Sequence, residues 1–361
     1  MRILVLDDGI KGNYVQSYGI AAALSADVRT VTVAWRGPSY SLPGRKGRYP
    51  LASKLLALLY LTGLRGAARQ LLGLALSGET RAGLAGTTDD LVISAGSVLA
   101  PVNLIQARRK GIPSVTVMVP ALLPLKLFSA AVIPLHDYMR LRRPSGRLVI
   151  TLGAPNRVGP ELLERERKRL EEACAITCEK TIVGVLIGGD DQNYRITLVW
   201  ARKLLDALTE YGAGTGARFL VSTSRRTPEN VVQYLKKELP ARGDVLYTEF
   251  PDQAGTRSES HYYGILGTAD LLVVTEDSVN MVSESAGAGR PVVIAGVGRR
   301  HRRPVVFDRT MRRFVDDGYA EYVPQDAVSG LGAILEKAAH GRYQRLDEAR
   351  ECARRISEII R

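Results

Sequence analysis

The residue types best able to hold a phosphorylated ligand are concentrated at Thr275-Glu276-Asp277-Ser278 and in the six residues that follow, Val279-Asn280-Met281-Val282-Ser283-Glu284. The apolar run 270–274 (DLLVV) reads as a strand, so the polar residues fall at a strand end. Ser278 is placed to cap the next helix. The free N–H groups of a helix start can hold a diphosphate. Glu284 comes six residues later, beside Ser283, Ser285, Ala286 and Gly287. A carboxylate there can accept both hydroxyls of a ribose, as the acid of a dinucleotide site does. Small neighbours let a ring approach the backbone. The competing reading is a surface acid on a packing helix.

Four further glycine or hydroxyl turns follow apolar runs and precede helical periods. They are 9–13 (with Gly9, Lys11, Gly12 and Asn13), Gly96-Ser97, Gly188-Gly189-Asp190-Asp191, and 222–226 (with Ser222, Ser224, Arg225 and Arg226). In an open parallel sheet, ligands bind beyond the carboxyl ends of the strands. None of these turns spells G-x-G-x-x-G or G-x-x-x-x-G-K-[ST], which argues against a standard NAD site and a P-loop ATPase. The cysteines are Cys174, Cys178 and Cys352, an odd number without disulfide-framework spacing. Cys174 and Cys178 are four apart on an expected helix and read as small buried residues sharing a face. With four histidines in the chain and none near them, no metal site is expected. His301 sits in the basic run 299–303 and could meet a nucleic-acid backbone, but no aromatic interleaving accompanies it, so nucleic acid is not an expected partner.

These turns need a scaffold, and the 361 residues are enough for two domains. Apolar runs at 2–6, 28–34, 90–95, 112–119, 131–135 and 147–152 alternate with helical periods, and the pattern restarts at 181–187, 217–222, 244–247, 270–274 and 291–295. Such alternation predicts mostly parallel sheets covered on both faces. The fold class is therefore α/β, with two Rossmann-like domains facing a common cleft. The expected division is a first domain at 1–158, a linker helix at 159–180 opening on Pro160, a second domain at 181–340, and a helix at 341–361 that bridges the domains and packs back toward the first. No packed element is expected in the Gly/Pro/basic stretch 37–50.

The formal charge of +13 belongs entirely to one half. Residues 1–160 hold 20 Lys/Arg and 7 Asp/Glu, whereas residues 161–361 hold 30 of each. A basic half implies an anionic partner, unless the charge serves only solubility. Residues 51–78 are apolar nearly all round the helix, with only Lys54, Arg65 and Arg69 charged and Arg45, Lys46 and Arg48 nearby. They read either as a buried helical pair or as an interfacial element on an anionic membrane. The N-terminus runs as a strand into acids, unlike a signal peptide, and no apolar run is long enough to span a bilayer. The expected location is cytoplasmic, with peripheral association at the inner membrane face as the extension of that reading.

The strings 92–118 (VISAGSVLAPVNLIQARRKGIPSVTVM), 151–158 (TLGAPNRV), 183–194 (VGVLIGGDDQNY), 222–229 (STSRRTPE) and 269–294 (ADLLVVTEDSVNMVSESAGAGRPVVI) cover both halves. Together they resemble the mitochondrial fission ELM1-like family. The segment from Thr275 to Pro291 is similar to the nucleotide-sugar segment of two-domain GT-B glycosyltransferases, including the bacterial enzymes that make lipid II and lipid A disaccharide. The resemblance implies a nucleoside-diphosphate sugar as substrate, no resident cofactor or metal, and a lipid-linked acceptor. It implies Glu284 as the ribose acid, Thr275, Asp277, Ser278 and Ser283 as a phosphate or sugar shelf, and Gly188, Gly189 and Asp190 as the loop beside the diphosphate. Ser222, Ser224 and Arg225 would join that side, and Arg157 would contact phosphate through its guanidinium fork. The loop with Gly9, Lys11, Gly12 and Asn13, together with Gly96 and Ser97, would face the acceptor, although it departs from the usual pattern in carrying Asp7, Asp8 and Lys11. An inverting transfer needs a proton acceptor, for which His136-Asp137 and Asp8 are the candidates. A retaining transfer would need no such base. The alternatives are a non-catalytic recruitment or scaffold protein on this fold, and a nucleotide-sugar epimerase or hydrolase.

Overall fold

A computed structural model describes residues 1–41, 48–85, 88–177, 179–251, 260–301 and 305–361. Arg45, Lys46, Cys178, Arg302 and Arg303 lie outside them. The chain forms two compact units. The first comprises Met1–Arg157 with Asp347–Arg361, and the second Val158–Leu346.

The strands of the first unit are β1 (Arg2–Asp7), β2 (Asp27–Thr32), β3 (Ser39–Ser41), β4 (Arg48–Pro50), β5 (Leu91–Ala95), β6 (Ser114–Val117), β7 (Ala130–Pro134) and β8 (Leu148–Thr151). Six of them make one parallel sheet in the order β2-β1-β5-β6-β7-β8. Because side chains alternate along a strand, β1 sends Ile3 and Val5 to one face and Leu4 and Leu6 to the other. Ile3 and Val5 pack with Ile20, Ala21, Cys352 and Ile356. Leu4 and Leu6 pack with Leu56, Tyr60, Leu72 and Leu104. The first face is thus covered by the helices Lys11–Leu24 and Glu348–Ile360, and the second by Leu51–Leu61, Arg65–Ala75 and Ala100–Lys110.

The second unit repeats the plan with β9 (Ile182–Ile187), β10 (Tyr194–Arg195), β11 (Arg218–Thr223), β12 (Val245–Glu249), β13 (Leu271–Thr275), β14 (Val292–Ala295), β15 (Gly298–Arg299) and β16 (Glu321–Val323). Its main sheet runs β12-β11-β9-β13-β14-β16, all parallel. The charged helix Pro160–Cys174 belongs to this unit and packs on the helix Tyr262–Thr268. Two glycines make the contact close. A Cβ on Gly264 would sit 2.8 Å from Leu170 Cβ, and one on Gly267 would sit 2.5 Å from the Leu163 carbonyl oxygen.

Several local expectations are corrected. The stretch 37–50 carries a short antiparallel hairpin, β3 with β4, whose three-residue ladder is too brief to show as a pattern. The leucine-rich segment 51–78, by contrast, does contain a helical pair, divided at Gly63, whose φ of 81° is left-handed. The charged helix stops at Cys174, where Ala175 turns left-handed, so it does not continue toward position 178. The turn expected over 9–13 is already helical from Lys11. The strand expected over 131–135 stops at Pro134, and His136-Asp137 lie in the short helix Leu135–Tyr138.

The C-terminal helix is pinned to the first unit by one acid. Glu348 Oε1 accepts the backbone N–H groups of Leu152 at 2.6 Å and Gly153 at 3.1 Å, at the end of β8. Burial pushes this carboxyl up to about 7 against the two N–H donors that favour its charge. A carboxyl raised in the folded state contributes stability below its unfolded value, and that contribution is lost as pH rises through the folded one. Between pH 4.5 and about 7, ionisation should therefore erode the stability of the first unit by on the order of 2–3 kcal/mol. Glu348→Gln, which keeps an acceptor and cannot ionise, should flatten this pH dependence in denaturant unfolding series. An identical slope in the two proteins would refute the assignment.

Candidate functional site

Both main sheets reverse their direction of growth beside the first strand. In the second unit the chain builds β11 and β12 on one side of β9, then crosses over to place β13 on the other. In the first unit β2 lies on one side of β1 and β5 on the other. The carboxyl ends of the paired strands at such a reversal part and leave a crevice, where ligands of open α/β sheets bind. The turn Gly188-Gly189 follows β9 and the turn 276–278 follows β13. The turn Asp8-Gly9-Ile10 follows β1 and Gly96-Ser97 follows β5. Four of the five turns selected from sequence therefore stand at the reversal points, and the fifth, 222–226, follows the neighbouring strand β11.

At the second unit's edge, one carboxylate organises the turns. Asp277 Oδ2 accepts the Gly189 N–H at 2.8 Å and a guanidinium N–H of Arg226 at 3.0 Å. Its side chain has no exposed surface, whereas that of Arg226 is 38% exposed. Burial raises the Asp277 pKa, while the Thr275 hydroxyl, Arg226 and the Gly189 N–H oppose the shift. Thr275 Oγ1 accepts the Gly188 N–H at 2.7 Å. The Thr227 hydroxyl donates to the Gly188 carbonyl, and the Asp190 N–H donates to the Arg226 carbonyl at 3.1 Å. The ends of β9, β11 and β13 are thereby tied into one knot. Its closeness requires both glycines. A Cβ on Gly188 would lie 2.2 Å from Asp277 Oδ2, and one on Gly189 would lie 2.1 Å from the Arg226 carbonyl carbon.

The remaining candidates of this unit take up separate positions. Ser278 caps the helix Val279–Gly287 by accepting from the Met281 N–H. Ser283 is buried and donates to the Val279 carbonyl within that helix. Glu284 is 8% exposed and accepts from the Tyr262 hydroxyl at 2.9 Å and the Tyr263 hydroxyl at 3.1 Å. It thus faces the helix Tyr262–Thr268. Ser222 is buried at the end of β11, and the Ser224 hydroxyl accepts the Arg226 N–H within its own turn, while Arg225 is exposed. Asp190 accepts the Ile196 N–H at 2.8 Å and pairs with Arg300 at 2.6 Å. It braces the 190–196 turn.

In the first unit, Asp8 Oδ2 accepts from the Asn13 amide at 2.8 Å and Oδ1 accepts from the Ile10 N–H at 3.1 Å. Burial raises its pKa against these two donors. Gly96, with φ of 80°, lies so near that an added Cβ would be 3.1 Å from Asn13 Nδ2. Asp8, Asn13 and Gly96 therefore meet at the reversal point. Gly9 donates its N–H to Asp7 at 2.8 Å, Lys11 and Gly12 open the helix, and Ser97 Oγ accepts the Ala121 N–H at 2.9 Å. Met118, at the end of β6, holds φ at 67°, an uncommon backbone for a residue with a side chain. His136 and Asp137 follow β7, with Nε2 and Oδ1 3.9 Å apart. Burial lowers the His136 pKa, which favours the neutral ring. Three strand spacings separate β1 from β7, roughly 14 Å, so Asp8 and His136 are alternatives rather than a pair. Arg157 is exposed at the end of a segment that presses on the middle of the helix Lys11–Leu24, where Gly19 leaves room for Asn156.

Sequence reasoning missed Thr227, Tyr262, Tyr263 and the role of Glu276. Glu276 is buried beside Asp277, accepts the Val297 N–H at 2.9 Å and the Tyr322 hydroxyl at 3.0 Å, and lies 3.7 Å from Arg299. Burial raises its pKa. The partners lie between 21 and 46 residues away in the chain, so no local spacing announces them. Among the described residues, no group of three or more His, Cys, Asp or Glu side chains is arranged to hold a metal.

Two Rossmann-like units of this construction define a GT-B-like α/β protein. The chain belongs to the mitochondrial fission ELM1 family, whose sequence model matches residues 11–360. Mitochondrial fission protein ELM1 of Arabidopsis thaliana is 26% identical over 207 residues, a stretch covering 52% of this chain and 47% of the plant protein. An uncharacterised protein of Rickettsia prowazekii is 22% identical over 324 residues, covering 81% of this chain and 83% of its own. Among solved structures, the UDP-GlcNAc 2-epimerase of Methanocaldococcus jannaschii superposes with a TM-score of 0.54 at 12% identity, covering 99% of this chain and all of its own. A putative UDP-N-acetylglucosamine 2-epimerase of Listeria monocytogenes gives 0.54 at 10% identity, covering 99% and 94%. These likenesses establish the fold.

The knot makes a stability prediction. Gly189→Ala forces a Cβ into backbone that cannot swing away, and should cost at least about 2 kcal/mol in urea unfolding. Gly214→Ala, in the helix Leu198–Thr215 with open space around the added Cβ, should be neutral or stabilise by up to about 1 kcal/mol. Equal effects at the two positions would refute the close-approach argument.

Proposed function

We propose that the chain is a metal-independent glycosyltransferase that takes a nucleoside-diphosphate sugar in its second unit and passes the sugar to a lipid-linked acceptor at the cytoplasmic face of a membrane. The observation carrying this reading is the coincidence, at one reversal point, of the Gly188-Gly189 turn with the Ser278-capped start of the helix Val279–Gly287. No acidic side chain stands in the first turn of that helix, so its N–H groups suit the diphosphate. Glu284 would accept the ribose hydroxyls, oriented by Tyr262 and Tyr263. Helix N–H groups would share the leaving charge. Asp8 or His136 would take the acceptor proton. Burial raises the Asp8 pKa, which makes its carboxylate a stronger base, and lowers that of His136, which keeps the ring neutral but makes it a weaker one.

One observation favours a second reading. Asp277 already holds the Gly189 N–H and Arg226, groups that a bound phosphate would otherwise use. A non-catalytic recruitment protein that keeps the fold would be built in this way.

Calorimetric titration with nucleoside diphosphates and their sugars separates the two readings. On the transferase reading a nucleoside diphosphate binds, and Glu284→Ala weakens it at least about tenfold, or 1.4 kcal/mol. Full-strength binding by Glu284→Ala would remove the ribose role. Absence of binding by the unaltered chain, across nucleobases, would leave the recruitment reading.

A further inference from the structure

The helix Leu51–Leu61 has two apolar faces. Ser53, Leu56, Ala57 and Tyr60 are buried against the first unit. On the opposite face Leu51, Leu55, Leu58 and Leu61 remain 44–49% exposed, and Leu64, just beyond Gly63, is 56% exposed. At 100° per residue the four outward leucines fall within an arc of roughly 120°. A soluble helix normally turns polar residues outward there. The only charged side chain on that face is Lys54, and the next helix adds exposed Arg65 and Arg69. Residues 28–78 contain eight Lys/Arg and no Asp or Glu. The first unit as a whole holds 24 Lys/Arg against 11 Asp/Glu and so carries all of the chain's +13 charge.

We propose that this outward leucine row, with Lys54, Arg65 and Arg69 beside it, is the surface by which the protein lies on an anionic lipid bilayer. Leucines set into the acyl boundary supply the apolar contact, and the cations meet the headgroup charge. Lys54 reaches the headgroups by extending its stem past Leu51 and Leu58. Charge complementarity selects this occupant over a second copy of the chain, because two such faces would bring like charges together. Among the described residues no helix is long and apolar enough to cross a membrane. The contact is therefore interfacial. The proposal rests on the membrane-facing part of the reading above and gives it a defined surface.

The full chain should float with vesicles of phosphatidylcholine mixed with phosphatidylglycerol, bind vesicles of phosphatidylcholine alone at least about tenfold less, and be released by high salt. Leu55→Ser with Leu58→Ser should weaken vesicle binding at least about tenfold, as should Lys54→Glu with Arg65→Glu and Arg69→Glu. These positions are exposed, so thermal unfolding should stay near that of the unaltered protein and show that the variants fold. Undiminished vesicle binding by the leucine variant, or equal binding to both vesicle types, would overturn the proposal. So would a dimer in sedimentation experiments that the leucine substitutions dissociate while vesicle binding persists. Nucleoside-diphosphate affinity measured on the same preparations tells failure of the surface from failure of the sugar-transfer reading.

Discussion

A charge buried without an exposed atom must be compensated where it stands, and in the second unit that charge is the Asp277 carboxylate. Removing a carboxylate from water costs several kcal/mol after relaxation, unless fixed donors replace the water. The donors here are the Gly189 N–H and Arg226, drawn from the ends of β9 and β11, and Asp277 itself stands at the end of β13. Three strand ends must therefore converge, and the turns between them lose their freedom. Gly188 and Gly189 are glycines because the carboxylate and the Arg226 backbone come closer than any side chain allows. Arg226 is half-buried, so the pair is anchored on one side and reaches solvent on the other.

That convergence explains which parts of the molecule were legible in the sequence. The strands of both sheets stand out because buried parallel strands read as unbroken β-branched and leucine runs, as in VISA, IVGVLI and LLVV. The turns stand out because only glycine and hydroxyl residues tolerate the sharp exits and free N–H groups there. Tyr262 and Tyr263 lie on a helix preceding β13, and nothing in the spacing shows that their hydroxyls reach Glu284. The same holds for Tyr322 and Arg299 around Glu276. Partnership across a fold leaves a trace in one sequence only when both members share an element. The segment 51–78 illustrates another limit. Leucine all round a helix states that both faces are apolar, but which face meets the sheet is set by the sheet.

The two units solve the same packing problem with different surfaces. In the second, 26 acids balance 26 bases, and the helix Pro160–Cys174 joins several of them in pairs such as Arg167 with Glu164 and Glu171. Exposed pairs of this kind add little stability, and their effect is to cancel the long-range field. In the first unit the bases of residues 28–78 have no acids among them, so the field stays. Arg29 finds its carboxylate in Asp89, sixty residues away, and Lys110 shares it. Exposed leucines are unfavourable in water, and a positive field beside them suits a surface that is both anionic and apolar.

On the proposed transfer, the choice of base follows from strand spacing. Asp8 stands at the reversal point itself, where the ends of β1 and β5 part, and its carboxylate is aimed by the Asn13 amide and the Ile10 N–H. Those donors favour the charged form while burial favours the neutral one, and burial is the larger effect. The outcome is a carboxylate more basic than an exposed aspartate. His136 lies three strands away on a one-turn helix, outside the crevice defined by β1 and β5. An acceptor seated in that crevice presents its hydroxyl to Asp8. Only an acceptor lying across the ends of β6 and β7, past the left-handed backbone of Met118, reaches His136. The base and the acceptor's binding position are therefore a single question, and the side chain that answers it also fixes where on the first unit the acceptor lies.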